Sequence, residues 1–209
     1  MKKDSTPYVI GFMIVLCIVF GAAVSSVHFV TSPILKRNEQ AYKYRIISEA
    51  FALSPPDTKV TSYEETVNES LTLDTLIKGN HTFEVYAGKD GHTVGFIFRG
   101  TGFWDQITGI IVLSPDLSTV RNIRFLSQKE TPGLGARIEE RSFTDQFDGL
   151  TIDWNLPVEE RIIIDVCDNR DKRNCVNAIT GATQTSVALM KILNSELELF
   201  RKAYRKIKS

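Results

Sequence analysis

Apolar residues follow three rhythms along this chain. From Tyr8 to Val30 they are nearly continuous, with His28 the only basic side chain, and no formal charge stands between Asp4 and Lys36. Coiled as a helix at about 1.5 Å per residue, this run reaches roughly 35 Å, enough to cross a bilayer. From Asn38 to Leu53 the apolar positions thin out to Ala41, Tyr44, Ile46, Ile47 and Phe51, a helical spacing that Ser54-Pro55-Pro56 ends. This segment is expected to be a stalk helix. The stretch Asp57 to Thr75 is polar and rich in Thr, Ser and Glu, and is expected to be a linker or loose loop.

From Thr82 the period becomes two. Phe83, Val85 and Ala87 alternate against Thr82, Glu84 and Tyr86, Asp90-Gly91 offers a hairpin turn, and Val94, Phe96 and Phe98 continue. Ile107 to Leu113, then Pro115-Asp116, then Val120 to Leu126 add two more strands, so a four-stranded antiparallel meander is predicted. Its apolar face needs a cover. Arg137 to Phe147 supplies part of it, and the final segment supplies more, because Val187, Met190, Leu193, Leu197, Phe200, Tyr204 and Ile207 step by three or four. Basic residues Arg201, Lys202, Arg205, Lys206 and Lys208 suit the negative pole of that helix. Glu160 to Val166 reads as a further strand. The fold class is therefore α+β: an N-terminal transmembrane helix over residues 1–35, a stalk helix and linker over 36–81, and one domain of antiparallel sheet covered by helices over 82–209.

Charge and cysteines narrow the functional classes. With 25 basic and 25 acidic side chains the net charge is zero, and nothing draws the chain to nucleic acid. Lys2 and Lys3 before the apolar run, and Ala22-Ala23-Val24-Ser25-Ser26 within it, also fit a cleavable signal peptide; the length of the run favours an uncleaved anchor. Lys2 and Lys3 on one side face Lys36, Arg37, Lys43 and Arg45 on the other, so charge does not decide the topology. Cys17 lies in the apolar run. Cys167 and Cys175, set about the polar stretch Asp168 to Asn174, can close a disulfide in an oxidising compartment or stand as two thiols. The three histidines are scattered and no Cys or His pair has zinc-ligand spacing, so no metal site is expected.

Two stretches are built from residues that neither helix nor sheet prefers. In Glu130-Thr131-Pro132-Gly133-Leu134-Gly135 a proline and two glycines force a bend, and bare glycine backbone lets a flat ligand approach the amides. Thr180-Gly181-Ala182-Thr183-Gln184-Thr185-Ser186 opens the last helix, where free amides and the dipole favour an anion; alternatively, Thr180 or Thr183 simply caps the helix.

Together these stretches resemble the FMN-binding domain family of the Rnf and sodium-pumping Nqr redox complexes, in which a threonine is esterified by the phosphate of FMN. That family's segment runs from an acidic residue, across two variable positions, to Ser or Thr, Gly, Ala and Thr. Thr180, Gly181, Ala182 and Thr183 match it, which makes Thr183 the covalent acceptor, whereas Asn177 stands where the family carries Asp. The same resemblance makes Glu130, Thr131, Leu134 and Gly135 contacts of the flavin ring. Gly100-Thr101-Gly102-Phe103-Trp104 also resembles a family stretch, and Trp104 is either a shield for the ring or a buried core aromatic.

The resemblance, spanning roughly Thr82 to Lys208, implies an electron relay with no catalytic residue of its own. The implied partners are the other membrane subunits of an ion-pumping ferredoxin or NADH oxidoreductase, and an ApbE-type flavin transferase that installs FMN as a phosphoester. The implied location is the bacterial inner membrane, with the flavin domain on the periplasmic side. The length, and Ala136-Arg137-Ile138 leading to Phe143 and Phe147, resemble the Rnf G subunit more than the Nqr C subunit.

Overall fold

In this computed structural model, residues 6–79, 81–167 and 173–208 are described, without the side chains of 206–208. Helix α1 (Thr6–Ala50) contains the apolar run, and among the described residues it is the one helix long and apolar enough to cross a membrane. Its apolar side chains, from Tyr8 to Leu35, are exposed. The compact unit that follows spans Lys43–Ser209.

Five antiparallel strands form its sheet in sequence order: β1 (Leu71–Lys78), β2 (His81–Gly88), β3 (Val94–Thr101), β4 (Gln106–Leu113) and β5 (Val120–Ser127). Strands β3 and β4 are buried on both faces. Phe96 and Phe98 point to one side with Phe83, Ile111 and Ile123, and Ile97 points to the other with Tyr86, Ile110 and Val112. A strand covered on both faces reads as a continuous apolar run, as Gly109 to Leu113 does.

Helix α4 (Thr183–Lys208) covers the first face with Leu189, Leu193, Leu197 and Phe200. Phe200 stacks on Phe96 with ring centroids 4.1 Å apart and meets Phe83 edge-on. The second face is covered by the last turns of α1, through Ile46, Ile47 and Ala50, and by α2 (Val60–Ser70), through Val67.

This second layer corrects the expectation for residues 36–81. The end of the expected stalk helix is packed in the domain core, and most of the expected linker is folded as α2 and β1. Leu71 and Leu76 of β1 are buried, while Leu73 and Ile77 are exposed on this edge strand, so its apolar residues never produced a clean alternation. The meander accordingly has five strands where four were expected.

The chain from Ser127 to Thr183 contains little regular structure. Residues 135–147 form short turns of 3-10 helix around the one-turn α3 (Arg141–Thr144), and cover the core with Ile138, Phe143 and Phe147. The strand read over Glu160 to Val166 shrinks to β6 (Ile163–Asp165), which leaves the main sheet and pairs in parallel with β7 (Cys175–Asn177). Cys167 and Cys175 are joined by a disulfide. Of the polar stretch Asp168 to Asn174, residues 168–172 lie outside the described part.

Candidate functional site

The turn before α4 is shaped by Gly181, whose φ of +80° only glycine adopts without strain. The Ala182 amide closes on Ile179 O, and the first helical bond runs from the Ser186 amide to Ala182 O. Ser186 ties the turn together, its Oγ accepting the Ile179 amide at 3.3 Å and donating to Ala182 O at 3.1 Å. A capping role for Thr180 or Thr183 is not seen. Among the described residues neither side chain has a hydrogen-bond partner, and both are exposed. The amides of Thr183, Gln184 and Thr185 precede the first helical bond and have no helical partner, and Thr183 is exposed at the positive end of this long helix.

The second stretch docks against this turn. Leu134 lies against Gly181, where an added Cβ would come within 3.2 Å of Leu134 Cδ2. Gly135 is buried against Thr185, and a Cβ there would sit 2.4 Å from Thr185 Oγ1. Two segments some fifty residues apart in sequence thus meet only because a side chain is missing from each. Between them opens a cleft of about 250 Å³, walled by Thr131, Leu134 and Gly135 on one side and by Gly181 to Thr185 on the other, with Phe103 at its edge. Among the described residues no Lys or Arg lines it, and an anion held there would be met by the helix amides.

The structure therefore brings together Thr131, Leu134, Gly135, Gly181, Ala182 and Thr183. Thr180 lines two neighbouring clefts. One of about 630 Å³ also reaches Thr183 and runs along β6 and the α4 residues Val187 and Met190, and one of about 220 Å³ contains Arg137 and Asn177. Trp104 is 67% exposed, which rules out the core role, and its indole Nε1 donates to Thr131 Oγ1 at 3.0 Å. Phe103, its neighbour, is the aromatic that lines the cleft, and the two rings pack edge-on 5.1 Å apart. Glu130 does not face the cleft. It is buried beneath it at 4% exposure. Sequence reasoning passed over Phe103, Gln184 and Thr185, although all three lie inside the motifs it had marked.

Asn177 has a structural task. Its Oδ1 accepts the Cys167 amide at 3.1 Å and its own amide donates to Gln146 Oε1 at 2.8 Å, while the disulfide ties the same pair of strands. An aspartate could accept the same bond, so the fold of the turn leading to Thr183 does not depend on which of the two stands here.

A protruding hydroxyl among free helix amides, beside a glycine-walled cleft, fits the phosphate of a nucleotide whose flat ring lies against backbone. Residues 102–198 match the FMN-binding domain family model. That match contains both halves of the cleft, from Phe103 to Thr185. Over 107 residues the chain is 34% identical to the C subunit of the Na(+)-translocating NADH-quinone reductase of Haemophilus ducreyi, covering 49% of this chain and 41% of that protein. It is 27% identical over 128 residues to the G subunit of the Na(+)-translocating ferredoxin:NAD(+) oxidoreductase complex of Acetobacterium woodii, covering 59% and 58%.

The chain thus spans less than two thirds of the length of these relatives. Among solved structures, the C subunit of the Na(+)-translocating NADH-quinone reductase of Parabacteroides distasonis superposes with a TM-score of 0.67 at 23% identity, over 81% of this chain and 94% of that one. Shewanella oneidensis NqrC superposes with a TM-score of 0.69 at 15% identity, over 82% and 98%. At these identities the likeness establishes the fold: a long apolar N-terminal helix followed by an antiparallel sheet domain with helices.

Proposed function

We propose that this chain is a membrane-anchored electron-transfer subunit of an Rnf- or Nqr-type ion-translocating oxidoreductase, carrying FMN as a phosphoester on Thr183. The observation that carries the reading is the unpartnered, outward-facing Thr183 hydroxyl beside the cleft, within the stretch that matches the FMN-binding domain family. Thr183 to Thr185 would hold the phosphate through their amides, and Phe103, Thr131, Leu134 and Gly135 would border the ring. Bound FMN supplies exchange of electrons one or two at a time; the protein's share is to anchor, orient and shield it. An ester attachment keeps the cofactor in place in a medium that supplies none, and an ApbE-type transferase is the proposed source of that bond.

The Rnf G assignment is supported by the larger share of the Acetobacterium relative that the chain covers, 58% against 41% for the Haemophilus one. The second reading, an Nqr C subunit, is supported by the higher identity of the Haemophilus relative. The Cys167–Cys175 disulfide supports a flavin domain on the oxidising, periplasmic side of the inner membrane. The other membrane subunits of the complex would be its partners.

Mass spectrometry of protein made alongside a flavin transferase tests the attachment: an FMN adduct is expected on the peptide containing Thr183. Thr183→Ala should abolish in-gel flavin fluorescence while costing at most about 1 kcal/mol of stability, since the side chain caps nothing. Fluorescence that survives this change refutes the acceptor assignment.

A further inference from the structure

The carboxylate of Glu130 opens the turn that walls the cleft, yet it lies inside the protein. Its Oε1 accepts two amides, from Phe103 at 2.9 Å and from Trp104 at 3.1 Å. Its Oε2 accepts the hydroxyl of the buried Thr185 at 2.6 Å. Three stretches far apart in sequence therefore meet on one side chain: the loop after β3, the turn after β5, and the first turn of α4. All three donors are neutral, and no cation is among them. Thr131 extends the lock by accepting the Trp104 indole at 3.0 Å, and the Cβ missing from Gly135 makes room for the contact between Glu130 and Thr185.

Burying a carboxylate without a cation is costly, and a neutral amide or an apolar side chain could have filled the same space. Charge-assisted bonds to two segments compensate by fixing both to the turn that carries Glu130. We propose that Glu130 is a positioning residue of the flavin site: it sets the spacing between the Phe103–Trp104 loop and the acceptor helix, and places a negative charge beneath the cleft. The clamp needs no ligand. The role of its charge rests on the FMN reading, because a fixed negative charge below the ring opposes the charge gained on reduction and holds the midpoint potential down.

The test uses the full chain with Trp154→Phe, which leaves Trp104 as the sole tryptophan. In protein made without the transferase, Glu130→Ala should lower the fluorescence anisotropy of Trp104 as its loop comes free, and Glu130→Gln, which keeps an acceptor at the same place, should restore it. If Glu130→Ala does not fold, Thr185→Val removes one arm of the clamp and should lower the anisotropy in the same direction. With the transferase present, Glu130→Ala should load FMN at least roughly tenfold more slowly, the factor corresponding to a lost charge-assisted hydrogen bond. The loaded Glu130→Gln protein should show a midpoint potential shifted upward.

Unchanged anisotropy in a folded Glu130→Ala or Thr185→Val protein overturns the clamp, and an unshifted potential in loaded Glu130→Gln overturns the role of the charge. A parent protein that takes up no FMN refutes the flavin reading and the charge role with it, while the anisotropy comparison still decides the clamp.

Discussion

The two halves of the compact unit are held together by different means. Up to Ser127 the chain forms neighbouring strands in simple order, and the backbone ladder positions every residue while side chains fill both faces. From Ser127 to Thr183 the ladder is gone, apart from three residue pairs between β6 and β7 and an isolated bridge from Thr151 to Thr119, and single polar side chains take over much of its work. Asn194 of α4 accepts the Ile162 amide at 3.0 Å and donates to the carbonyls of Ile162 and Glu159 at 2.9 and 3.2 Å. Arg161 pairs with Glu198 and lies over the Trp154 ring, whose Nε1 donates to Leu117 O. The difference teaches where function can be placed: a ladder is tolerant but repetitive, whereas side-chain anchors let a segment take the irregular path that a ligand cleft requires.

The largest expected effect lies where helix α4 covers the sheet of the first half. Phe200→Ala empties the aromatic stack against Phe96 and Phe83 and should lower the global unfolding free energy by about 3–5 kcal/mol in denaturant melts. Asn194→Ala should cost about 3 kcal/mol, because the Ile162 amide and carbonyl are left without partners. The contrast sharpens in hydrogen exchange. Loss of Asn194 should raise exchange around residues 159–166 before it reaches β3 and β4, and equal acceleration across the sheet would dissolve the distinction between the halves. Cys167→Ser with Cys175→Ser should cost about 2.5 kcal/mol through loop entropy and loosen β6 against β7.

The smallest effect concerns Glu196. Burial raises its carboxyl above the ordinary carboxylate range, and His81, 3.7 Å away, offsets this only in part. A carboxyl raised in the folded state binds its proton more tightly there than in the unfolded chain. Its contribution to stability is complete below about pH 4.3 and is lost as pH rises through the folded value. Glu196→Gln should therefore raise the melting temperature at pH 7 and leave it nearly unchanged at pH 4.

Strands β2 to β5 and helix α4 were legible because their signals are local: a period of two, Asp90-Gly91 and Pro115-Asp116 at the turns, and apolar steps of three and four. Strand β1 was not. An edge strand with Leu73 and Ile77 exposed and Asp74 and Thr75 between them carries no alternation that distinguishes it from a polar linker. The last turns of α1 were misplaced for a related reason, since a helical stripe shows that a face is buried without naming its partner. At the cleft, the two marked motifs are the stretches that wall it, but nothing local links Glu130 to Thr185, and a glutamate in a glycine-rich turn gives no hint that it points inward. Phe103 and Trp104 are adjacent aromatics, and only the path of the loop after β3 decides which of them reaches the cleft.

Thr183 begins the helix whose middle carries Leu193, Leu197 and Phe200, all fully buried. Domains open in parts, from frayed edges with few apolar contacts to a last protected kernel. A group carried on Thr183, as proposed, would ride on that kernel. On warming, strand β1 and the irregular half should open first, so such a group would lose the cleft wall formed by Thr131, Leu134 and Gly135 while its anchoring helix still holds, and the helix should let go only in the final cooperative step.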